Sequence, residues 1–125
     1  MDADLVFRTQ CFVYDLLQFN EANLLHPGAT RYEYYLSSFY FTEAQVKELL
    51  ARPCANDKSM TISDRLQHLF ENKETSTKKE HEICTAHDLA PVFQSALGIK
   101  TGFYKSRAFK RRYRQFVKRK IREAT

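Results

Sequence analysis

Between Phe109 and Ile121 the apolar residues Phe109, Tyr113, Phe116, Val117 and Ile121 recur at steps of four, three, one and four. Every residue between them is basic except Gln115. A helix gathers that set on one side, because successive residues turn by about 100°. A strand would scatter it over both faces. Residues 100–125 hold eleven basic side chains (Lys100, Lys105, Arg107, Lys110, Arg111, Arg112, Arg114, Lys118, Arg119, Lys120 and Arg122) and one acid, Glu123. This segment carries +10, residues 1–99 carry −5, and the whole chain carries +5. A solvated face usually mixes both signs. A one-sign cluster on a mildly acidic body instead points to a polyanionic partner.

The whole chain of 125 residues suits a single domain, 1–125, with a modest core. With 43% hydrophobic residues, 14% aromatics, three Gly and three Pro, it is not a disordered tail, a collagen-like chain or a repeat array. No apolar run approaches the roughly 20 residues of a membrane span, and no export leader opens the chain. Cys11, Cys54 and Cys84 are odd in number and widely spaced, which fits free thiols in a reducing compartment.

The pattern predicts a mainly α fold, a small helical bundle ending in a long basic helix. Leu5, Val6, Phe12, Val13, Leu16, Leu17 and Leu24 recur at helical spacing and predict a buried helix over 4–25. A strand over Leu5–Tyr14 is the competing reading, and His26-Pro27-Gly28 breaks the element. In the aromatic block Tyr32, Tyr34, Tyr35, Phe39, Tyr40 and Phe41, core packing is favoured over base stacking, because only Arg31 interleaves with the rings.

Thr42 with Gln45 reads as a capping box and Phe41 with Val46 as a staple. They open a helix with Val46, Leu49 and Leu50 inward that ends before Pro53. A polar loop over 54–60 leads to a short helix from Ser63, with Leu66, Leu69 and Phe70 on one face. Residues 71–80 contain no apolar side chain and are expected to be a solvated loop open to protease. Asp88 can cap a helix with Pro91 in its first turn and Gly98 just past its end.

Thr101 can cap the final helix, so 88–122 resembles a helix-turn-helix in outline, with the turn at 98–102. Two positions depart from that pattern. Gln94 stands where a small residue is usual, and Arg107 stands where an apolar one is. Lys105, Arg107, Lys110 and Arg111 are the candidate base readers. Arg112, Arg114, Lys118, Arg119, Lys120 and Arg122 are candidates for phosphate contact, and Lys100 and Thr101 complete the set. The same helix also fits an RNA-docking segment, a membrane-surface helix or, at Lys110-Arg111-Arg112, a nuclear-localisation signal.

His81, Cys84 and His87 stand three apart and would need His68 or Cys54 to complete a zinc site, so no metal and no cofactor is expected. No phosphate-binding Gly-rich loop, nucleophile elbow or His-Glu-x-x-His is present. Glu82, His87 and Asp88 read as solvated residues, and no catalytic residue is expected. The expected function is nucleic-acid binding, DNA before RNA, by a small regulator of transcription or of a mobile or viral genome. The expected place is cytoplasmic and nucleoid-associated, or nuclear if the host is eukaryotic or the protein viral. The alternative is an adaptor that forms a homodimer or recruits a protein partner through its apolar N-terminal helix.

Overall fold

The computed structural model describes residues 2–18, 39–55, 57–75 and 86–124. Among them five α-helices and a 3₁₀ turn form an all-α domain: α1 (Ala3–Gln18), α2 (Glu43–Ala51), α3 (Ile62–Thr75), α4 (Ala86–Ala96), the turn Phe103–Lys105 and α5 (Arg107–Ala124). Among the described residues there is no strand, only an isolated bridge between Pro53 and Thr61 that closes the 54–60 loop. The expected helix over 4–25 is present as far as Gln18, which excludes the strand reading of Leu5–Tyr14. Leu24, Leu25, the His26-Pro27-Gly28 break, Tyr32, Tyr34 and Tyr35 lie outside the described residues, as do the side chains of Leu69, Phe70 and Leu89.

α1 is central because it is apolar on two sides. Leu5, Thr9, Phe12 and Leu16 follow the three-and-four spacing of one stripe, and Phe7, Cys11 and Asp15 follow a second. All seven are buried. On the first stripe Phe12 meets Phe93 of α4 edge-on, with centroids 5.1 Å apart, and Tyr40 and Phe41 at 5.4 and 5.6 Å. Phe39, Tyr40 and Phe41 therefore pack into the core as expected, and α2 and α3 pair beside them.

Local chemistry sets the ends of α2. The Thr42 N–H donates to Gln45 Oε1 at 2.9 Å, and the Gln45 N–H donates to Thr42 Oγ1 at 3.2 Å. Both halves of the capping box are thus in place, and Leu49 is fully buried. Thr42→Ala is expected to cost about 1 kcal/mol, read as a lower urea midpoint with an unchanged slope. An unchanged midpoint would mean that the cap contributes nothing.

Several boundaries differ from the sequence expectation. α3 starts at Ile62, capped one residue earlier by Thr61, whose Oγ1 accepts from the Asp64 N–H at 3.1 Å while Asp64 Oδ2 accepts from the Thr61 N–H at 3.0 Å. It continues to Thr75, so half of the expected 71–80 loop is helix. Glu71, Lys73 and Glu74 are good helix formers, and a polar helix needs no apolar stripe to extend one that is already docked. Asp88 is the third residue of α4 and not its cap, and Pro91 is the sixth and not in the first turn. Burial of Ala90, Phe93 and Leu97 against the core decides the extent of this helix, and it tolerates the backbone bond that Pro91 removes.

The exit from α4 follows the sequence reading. Gly98 is left-handed at φ +65°, its N–H reaches the Ser95 carbonyl at 3.4 Å, and the Ile99 N–H reaches the Gln94 carbonyl at 2.9 Å. This is the two-bond close that glycine permits just past a helix end.

Candidate nucleic-acid interface

α5 begins at Arg107, five residues later than a cap at Thr101 would place it. Ser106 caps it: its Oγ accepts from the Phe109 N–H at 3.3 Å, and its carbonyl accepts from the Lys110 N–H at 3.1 Å. Tertiary packing explains the shift. The Phe103 ring meets Phe109 edge-on at 5.0 Å and the Tyr104 ring lies 6.2 Å from Tyr14, so the chain turns at Gly102 (φ +82°) to seat both rings. The link between α4 and α5 is therefore residues 97–106, where a helix-turn-helix needs a three- or four-residue turn. That outline is not kept.

The apolar seam of α5 docks on the second stripe of α1. Phe7 sits between Phe109 and Phe116, at 6.3 and 5.9 Å, and Tyr14 lies 5.7 Å from Phe109 and 4.8 Å from Tyr113. Phe109 and Phe116 are buried, and Tyr113 and Val117 are packed against the core. Ile121, expected in the seam, is 55% exposed because α5 runs on past the body.

Asp15 joins the pieces. Its Oδ2 accepts from the Tyr40 hydroxyl and its Oδ1 from the Tyr113 hydroxyl, tying α1, the 39–42 segment and α5 together. Burial, reinforced by the nearby Asp15, holds both phenols well above the ordinary tyrosine range, and burial pushes the Cys11 thiol up as well. A phenol whose folded-state value is raised stays neutral when folded but ionises near pH 10 when unfolded. Stability from Tyr40 and Tyr113 is therefore full below about pH 10 and falls as pH rises above it. Denaturant midpoints from pH 8 to 11 are expected to show that fall, and Tyr40→Phe with Tyr113→Phe to flatten it.

With the seam turned inward, the outer face of α5 is a row of cations. Arg107, Lys110, Arg111, Arg114 and Lys118 are all exposed, and each has another of them three or four residues away, within about a third of the helix circumference at 100° per residue. None of the five has an ion-pair partner among the described residues. Like charges at this spacing repel, and cations in the first turn, which holds no acid, oppose the helix dipole. The face is thus unfavourable for α5 alone, and an external anion would relieve it.

The other predicted residues fall into different places. The Arg112 guanidinium lies 4.0 Å over the Phe7 ring, and that of Arg119 lies 5.7 Å over Phe116. These cations flank the seam rather than the outer face. Lys120 pairs with Glu123 at 3.3 Å. Lys100 and Thr101 are exposed in the link, and Lys105 ends the 3₁₀ turn, so none of these three is on α5. Asp15 and the ring stacking of Arg112 were missed in the sequence because charged side chains on a helix are usually solvated.

Among the described residues no group of three His, Cys, Asp or Glu side chains is placed to hold a metal ion. His68 is exposed, Cys54 is half-buried, and His81, Cys84 and the His87 side chain lie outside the described residues. No described helix is long and apolar enough to cross a membrane. In comparison with known proteins, the chain matches no family model, no curated protein and no solved structure.

Proposed function

We propose that the protein binds nucleic acid along the outer face of α5, DNA ahead of RNA, and serves as a small regulator of transcription or of the upkeep of a mobile or viral genome. The observation that carries this reading is the row of five exposed cations, without an ion-pair partner among the described residues, on a helix whose opposite side is locked to the body. Phosphates are the polyanion that such a row suits, because each cation that meets one releases a counterion. At 18 residues α5 is about 27 Å long, and a helix fits the wide major groove of B-DNA but not the narrow one of A-form RNA. Arg107 and Arg111, nearest the start of the helix, are the base readers, and Arg114 and Lys118 hold phosphate.

Two other readings draw less support from the burial of the described residues. A membrane-surface helix would present Phe109 and Phe116, and both are buried against α1. An adaptor using the N-terminal helix would need its apolar residues free, and Leu5, Phe12, Val13 and Leu16 are buried within the same chain.

Competition gel shifts with duplex DNA, single strands and RNA test the reading. Arg107→Ala or Arg111→Ala is expected to cost about 1–3 kcal/mol on a preferred duplex site and much less on random duplex. Arg114→Ala is expected to weaken every sequence alike. Equal losses everywhere for all three would reduce the activity to non-specific binding, and retention of no nucleic acid would overturn it.

A further inference from the structure

Beside the basic face, a cleft of about 430 Å³ opens between α1, the α4–α5 link and the start of α5. That volume lies in the range of small-molecule sites. Val6 and Phe103 give it apolar walls, and Ala108 stands on the α5 side. Its polar lining comprises Gln10, Lys100, Ser106 and Arg112. The half-buried Gln10 amide has no hydrogen-bond partner among the described residues, and neither Lys100 nor Arg112 has an ion pair there. The Arg112 guanidinium, with one face on the Phe7 ring, is held in place at the cleft.

These groups match the parts of one nucleotide. A flat ring fits between apolar walls, an amide offers a donor and an acceptor to a base edge, and two cations suit a phosphate. We propose that this cleft seats a single unpaired nucleobase of a bound strand, its edge on Gln10 and its phosphate on Lys100 and Arg112. The inference rests on the nucleic-acid reading and adds a preference for strands with an unpaired base next to the duplex-binding face. It also gives roles to Lys100 and Arg112, which the outer face leaves out.

The test uses the full chain and two probes, a blunt duplex and a single-stranded oligonucleotide carrying 2-aminopurine. Binding of the single strand is expected to change the 2-aminopurine emission several-fold, as a seated base should. Ala108→Trp fills the cleft from an exposed position outside the basic face. It is expected to abolish the emission change and lower single-strand affinity about ten-fold, the scale of losing one stacked base, with duplex affinity kept within about two-fold. Gln10→Ala is expected to lower single-strand affinity about five-fold through one lost hydrogen bond, and it decides the matter if Ala108→Trp does not fold. Duplex binding with no emission change, or full single-strand affinity in the folded variant, overturns the cleft alone. Loss of all binding by the wild-type protein overturns the nucleic-acid reading and the cleft together.

Discussion

Phe116→Ala is expected to lower the free energy of unfolding by about 3–5 kcal/mol, the usual range for deleting a buried ring. Phe116 is 2% exposed and meets Phe7, Phe39 and Tyr40 at centroid distances of 5.9, 5.8 and 6.4 Å. Arg8 and Arg119 also stand over its ring, each 5.7 Å from the centroid. One side chain therefore joins α5 to α1 and to the 39–41 segment. A domain of this size is stable by only about 5–15 kcal/mol, so the variant should melt far earlier than the wild type. The loss should be smaller for Ile121→Ala, whose side chain is mostly in water. Equal melting temperatures for Phe116→Ala and the wild type would mean that α5 is not docked by this seam.

What was legible in the sequence was local. The Thr42–Gln45 box, the glycine close after α4 and the seam of α5 each depend on residues within a few positions of one another, so spacing alone reveals them. The start of α5 was not legible, because Thr101 and Ser106 are both competent caps. The choice between them is made by Phe103 and Tyr104 packing on Phe109 and Tyr14, contacts between distant parts of the chain. Residues 71–75 show the reverse case: without an apolar side chain they carry no amphipathic signal, yet they are helical as an extension of α3.

The candidate site was legible as a charge and not as a surface. The sequence marks twelve residues, eleven cations and Thr101, as one set, and the fold divides it, with Lys120 paired to Glu123. Arg107, Lys110, Arg111, Arg114 and Lys118 share the outer face, Arg112 and Arg119 cover rings at the seam, and Lys100, Thr101 and Lys105 precede the helix. That division depends on which side of α5 meets α1. The meeting in turn depends on Phe7, Cys11 and Asp15 forming a second buried stripe. The buried Asp15 is the least legible residue of all, since an acid on a helix is usually solvated.

The central claim is that the five outer-face cations of α5 meet the duplex, with Arg114 and Lys118 on phosphate, and salt dependence tests it most directly. Each phosphate neutralised on B-DNA adds about 0.9 to the slope of log affinity against log salt concentration. Duplex affinity should be measured across a salt series for the wild-type chain and for a variant with Arg107, Lys110, Arg111, Arg114 and Lys118 all changed to Gln. The substitutions lie on an exposed face and relieve repulsion, so the variant should fold at least as stably. The wild-type slope is expected to be about −1.8 or steeper, and the variant slope flatter by about 1.8 or more, with most of its low-salt affinity gone. A folded variant that keeps the wild-type slope and affinity would contradict the claim.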